Sequence, residues 1–89
     1  MAERFKKISE FLKKARHDRG LSQTEVAEKL GYQTPQFISN WERGVAAPPA
    51  AVLQRLAKIY GISGEVLFRL IMEETERKMR SDFRFKGSS

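Results

Sequence analysis

Three side chains near the middle of the chain, Gln36, Asn40 and Arg43, carry strong hydrogen-bonding groups at a helical spacing. At about 100° per residue they fall within roughly 60° of one another, on the side opposite Ile38 and Trp41. Two primary amides and a guanidinium supply donors and acceptors but no nucleophile, general base or metal ligand. An amide can bond the N6/N7 edge of adenine twice, and a guanidinium reaches guanine or a phosphate. Such a set suits the reading of a DNA edge rather than the making of bonds. A merely solvated polar face would carry similar residues, so the elements that hold these three in place decide the weight of the reading.

Those elements are short and well punctuated. Residues 22–44 read as two helices joined by a tight turn. Ser22-Gln23-Thr24-Glu25 is a capping box, in which hydroxyl and carboxylate each satisfy an otherwise orphan amide. Val26, Ala27 and Leu30 form the first apolar stripe, and Gly31 can adopt the left-handed conformation that ends a helix. Thr34-Pro35 then supplies a hydroxyl cap and a proline where no amide partner is needed, opening a second helix over about residues 35–43. Gly44 stops it. Two helices meeting through a Gly-containing turn form a helix-turn-helix, whose second helix approaches bases with its N-terminal end.

Three spaced elements carry a resemblance: Leu21-Ser22-Gln23, Ala27-Glu28-Lys29-Leu30-Gly31 and Trp41-Glu42-Arg43-Gly44. Together they resemble the helix-turn-helix domains of the phage repressor and Cro type, over residues 5–63. The resemblance implies an all-α, five-helix lambda repressor-like DNA-binding domain. It implies a phosphate contact from Gln23 and base contacts from Pro35, Gln36, Ser39 and Asn40, although proline has no side-chain donor with which to read a base. Gln33, Thr34, Phe37 and Arg43 complete the expected DNA-facing set. The resemblance also implies a salt bridge between Arg16 and Glu42, tying the first helix to the end of the recognition helix. One departure stands out. From Gly31 to Ile38 the chain has one residue more than the family pattern, so either the recognition helix enters at a different angle or Tyr32 or Gln33 bulges toward the DNA.

The 89 residues suffice for one small domain with a modest core. There is no cysteine and a single histidine, His17, so no disulfide or metal site is expected. Without paired carboxylates in a plausible cleft or a Gly-rich phosphate loop, neither an enzyme nor a cofactor is expected. Net charge is +6, with seven Lys or Arg against three Asp or Glu in residues 1–20, four against three in residues 21–60, and six against five in residues 61–89. A basic domain favours nucleic acid through counterion release. The recognition helix is itself barely basic, so attraction to phosphate falls to the first helix and the C-terminal residues. The N-terminus lacks the apolar run of a secretory signal, and the longest apolar stretch, residues 66–72, is broken by Arg69 and too short for a bilayer. A soluble, cytoplasmic, nucleoid-associated protein without a membrane partner is expected.

In chain order, helix one should span residues 3–18, with Phe5, Ile8, Leu12 and Ala15 inward, Lys6, Lys13 and Lys14 outward, and Gly20 as its stop. Residues 45–49 form a stiff connector without basic side chains, where only the amides of Gly44 and Val45 remain to meet a phosphate. Helix four should carry Val52, Leu53, Leu56, Ala57 and Tyr60 inward and end at Gly61. Ser63 caps an extended C-terminal helix over residues 64–83, with Leu67, Leu70 and Ile71 facing the domain. Its second stripe of Phe68, Met72, Thr75, Met79 and Phe83 has spacings near a heptad seam and is expected to form a homodimer interface. Residues 84–89 read as a disordered tail. Two functions fit: a transcriptional regulator binding a twofold operator as a dimer, or an antitoxin or adaptor whose C-terminal helix grips a protein partner. A stable dimer that binds DNA alone would favour the first.

Overall fold

Local capping chemistry sets several of the helix ends, at Ser22, Gly31, Gly61 and Ser63. A computed structural model describes residues 5–87, with side chains for residues 5–83. Five helices follow one another: α1 (Lys6–Asp18), α2 (Gln23–Leu30), α3 (Gln36–Glu42), α4 (Ala50–Tyr60) and α5 (Gly64–Gly87). The capping box of α2 is fully formed, with the Glu25 amide donating to Ser22 Oγ at 3.0 Å and the Ser22 amide to Glu25 Oε1 at 2.8 Å. Ser63 Oγ accepts the Val66 amide at 3.2 Å and opens α5. Gly20, Gly31, Gly44 and Gly61 all take positive φ at the ends of the first four helices. At Gly31 (φ 87°) the reversed backbone lets the Tyr32 amide reach back to the Ala27 carbonyl at 2.9 Å, closing the last turn of α2. Arg55 of α4 covers another carbonyl there, donating to Leu30 O at 2.8 Å.

Three boundaries differ from the sequence expectation. The first helix starts at Lys6, and the expected residues 3 and 4 lie outside the described ones. The residue preceding α3 is Pro35 rather than Thr34, yet the Thr34 hydroxyl still accepts the Gln36 amide at 3.3 Å, so the expected cap is displaced by one position and not abolished. The last helix runs on to Gly87, past Phe83 and through four of the six residues expected to be disordered; the other two lie outside the described residues. Ion pairs one turn apart, Glu76–Arg80 at 2.8 Å and Lys78–Asp82 at 2.9 Å, support helix where apolar packing has ended.

One core joins all five helices. It contains the expected stripes of α1, α2 and α4, Ile38 and Trp41 of α3, and Leu67 and Ile71 of α5, with Leu70 packed at its edge. Ile8, Leu12, Ile38, Leu56 and Leu67 are completely enclosed. Each such side chain contributes about 2 kcal/mol by leaving water, so the core fixes the relation of α1 to α3 more firmly than any surface pair. α1 packs on α3 and α5, α2 on α3 and α4, and α4 on α5.

An acidic residue shares this interior. Glu74 of α5 is 5% exposed, and its carboxylate accepts the backbone amides of Ile8 at 3.0 Å and Lys7 at 3.3 Å. Phe5, which precedes α1, provides no side-chain cap, so the first turn of α1 takes its acceptors from the far end of the chain. The sequence carried a signal for this: Glu74 lies three residues after Ile71 and seven after Leu67, on the buried face.

Candidate nucleic-acid interface

The helix α3 rests on a bidentate ion pair. Arg16 Nε and Nη2 donate to the two oxygens of Glu42 at 2.6 and 2.9 Å, and the side chains are only 11% and 4% exposed. Arg16 Nη1 also donates to Leu21 O at 2.8 Å, fastening the loop before α2 to the same guanidinium. The hydrogen bond that Arg16 donates to Glu42 holds the Arg16 pKa above its ordinary value. Close to the pair lies Tyr60, whose hydroxyl is held well above the usual phenol range, first by burial and then by the Glu42 charge. The pairing of residues 16 and 42 is thus present in the geometry that the sequence resemblance implied.

Gln23 belongs to this same network. Its Nε2 donates to Glu42 Oε1 at 3.0 Å, so one N–H of the amide is committed inward. A primary amide has two such hydrogens, so the bond to Glu42 uses one of them. The amides of Gly44 and Val45 are not available to a phosphate, contrary to expectation: they donate to Trp41 O at 3.2 Å and Asn40 O at 3.1 Å, closing the end of α3. The Gly44 carbonyl accepts the Phe5 amide at 3.2 Å and stitches the start of α1 to the end of α3.

The longer turn resolves differently for its two candidate residues. Tyr32 does not bulge outward. Its ring packs 4.9 Å from Phe37 and 6.2 Å, edge-on, from Trp41, because an aromatic ring gains more from these neighbours than from solvent. Gln33 and Thr34 are exposed. On α3 itself Gln36, Phe37 and Arg43 are exposed, and Ser39 and Asn40 are half-buried. The face opposite Ile38 and Trp41 is internally bonded: Gln36 Nε2 donates to Asn40 Oδ1 at 3.0 Å, and Arg43 Nη2 to the same oxygen at 2.6 Å.

On α1, Lys6, Lys13 and Lys14 are all exposed, and Lys14 pairs with Asp18 at 2.8 Å. Among the described residues no three His, Cys, Asp or Glu gather to hold a metal ion, and no helix is long and apolar enough to cross a membrane.

A family model described as Helix-turn-helix (HTH_3) matches residues 12–67, from the middle of α1 into the first turn of α5. The chain belongs to this helix-turn-helix family. Two curated relatives, each named an uncharacterized HTH-type transcriptional regulator, come from Mycobacterium tuberculosis strains CDC 1551 and H37Rv. Each is 36% identical over 58 residues, which is 65% of this chain and 41% of the relative's own length. The chain therefore spans less than half of the proteins it resembles. No solved structure gives a significant match. Family membership makes this a non-enzymatic helix-turn-helix domain of the kind found in bacterial transcriptional regulators.

Proposed function

We propose that the protein is a sequence-specific double-stranded DNA-binding transcriptional regulator of the repressor and Cro type, acting in the cytoplasm. In this reading α3 enters the major groove, Gln36 and Asn40 read base edges, and Gln33, Thr34, Phe37, Ser39 and Arg43 border them. Gln23 approaches a phosphate with its second N–H. The observation that carries the reading is the placement of Gln36, Asn40 and Arg43 together on the solvent side of α3, above a floor fixed by Arg16 and Glu42. A homodimer through α5 would set two such faces on a twofold operator. Phe68, Met72, Met79 and Phe83 are 49%, 51%, 63% and 77% exposed, and the last three line one apolar groove with Thr75. Glu65–Arg69 and Glu76–Arg80 flank these side chains, each pair offering both signs to a second copy.

Two measurements test the two halves of this reading. Gln36→Ala and Asn40→Ala should each lose about 1–3 kcal/mol on a selected operator and much less on random duplex. Equal losses on both would reject base reading. Met72→Glu combined with Met79→Glu should yield monomers by sedimentation, and an unchanged dimer would reject that interface. A wild-type monomer would favour the adaptor alternative, with the groove left for a protein partner.

A further inference from the structure

We propose that Arg43 sets the hydrogen-bonding polarity of the recognition face, so that Asn40 meets a base edge of acceptors only, guanine or thymine, while Gln36 meets adenine. The inference rests on the DNA-reading function proposed above and specifies what each amide can read. An arginine side chain has no acceptor atom. Arg43 Nη2 lies 2.6 Å from Asn40, so the Asn40 atom facing it must be the carbonyl oxygen Oδ1. Gln36 lies 3.0 Å from that same oxygen and must therefore turn its own NH2 toward it. The orientation of both amides follows from one cation.

The two lone pairs of Asn40 Oδ1 are then both occupied. What remains on Asn40 is the Nδ2 group with donors alone. Adenine in the major groove offers an acceptor at N7 and a donor at N6, and the donor would find no free acceptor on Asn40. Guanine offers acceptors at N7 and O6, and thymine at O4, which suit donors. Gln36 is the complement: Oε1 is free, and its second N–H remains after the bond to Asn40, which is the pair adenine needs. Without Arg43 the two amides, nearly identical in outline, could turn over together and exchange these roles. Arg43 is in this sense a positioning residue, acting on base choice through Asn40 and Gln36.

The test is selection from random duplex DNA with the full chain, carried out for wild type, Gln36→Ala, Asn40→Ala, Arg43→Met and Arg43→Lys. The alanine variants assign positions, since each erases the preference at the base its residue faces. Wild type should prefer guanine or thymine over adenine about tenfold at the Asn40 position, and adenine at the Gln36 position. Arg43→Met should collapse the discrimination against adenine at the Asn40 position, and Arg43→Lys, which is also donor-only, should retain it. Adenine preferred by wild type opposite Asn40 would overturn the inference while leaving base reading intact. So would an Arg43→Met variant that loses affinity evenly with unchanged base ratios, since that is the behaviour of a phosphate contact. No enriched motif from wild type would overturn sequence reading and the inference with it.

Discussion

The carboxylate of Glu74 in α5 accepts the amide of Ile8 in α1, 66 residues earlier in the chain, at 3.0 Å. It serves as the missing cap of α1 and sets a negative charge at the positive end of that helix dipole. Replacing it bares one buried amide, that of Ile8, and one partly buried amide, that of Lys7. Glu74→Ala should therefore lower stability by about 2 kcal/mol in urea unfolding, with Glu74→Gln intermediate because one acceptor survives. Equal stability of all three proteins would rule out the cap.

The Arg16–Glu42 pair should behave asymmetrically. Glu42→Ala strands a guanidinium that is 11% exposed and releases the Gln23 amide as well, at a cost of about 3 kcal/mol. The double variant Arg16→Met with Glu42→Leu removes both charges together and should cost less than the two single substitutions combined. A double-mutant cycle that adds without coupling would show that the pair does not act as a unit.

Tyr60 gives the fold an alkaline limit. Its folded pKa is raised by burial and then by Glu42, so above the unfolded value of about 10 the unfolded chain releases this proton while the folded chain keeps it. The unfolded state then binds fewer protons, and stability falls as pH rises. The contribution is complete below about pH 10 and is lost as pH climbs from there toward the folded pKa. Tyr60→Phe should flatten unfolding midpoints measured between about pH 9 and 11; an unchanged slope would clear Tyr60 of the effect.

Charge on α1 and amides on α3 should separate by salt. Neutralising Lys6 or Lys13 to Gln should weaken specific and random DNA alike, and reduce the salt slope by about 1 for each phosphate no longer neutralised. A variant whose slope equals that of wild type shows that its lysine meets no phosphate.

The helices were legible because their punctuation is local. Ser22 with Glu25, Ser63, and a glycine after each of the first four helices act within a few residues, and the apolar stripes of α1, α2 and α4 bury as their periodicity predicts. The Arg16–Glu42 pair was legible through resemblance, not through spacing. What stayed hidden depends on neighbours that meet only after folding. The spacing of Glu74 puts it on the buried face, but the amides it caps are named only once α1 lies beside it. Tyr32 reads as a turn residue until Phe37 and Trp41 offer it a wall. The amides of Gly44 and Val45 read as free until the last carbonyls of α3 claim them.

The C-terminal part of the 24-residue α5 extends beyond the core, and the molecule is 46 Å long against 25 and 21 Å across. In the proposed dimer this helix works as a ruler. Wherever along its apolar stripe two copies cross, that crossing fixes the span between their reading faces. A helix rises 1.5 Å per residue, so moving the crossing by one heptad slides each domain by about 10 Å along the arm. Successive major-groove faces on one side of a duplex are about 34 Å apart, so such a slip changes the fit by an appreciable fraction of a turn. Spacing between half-sites would then be written in the phase of Phe68, Met72, Met79 and Phe83, at a distance from every residue that touches a base.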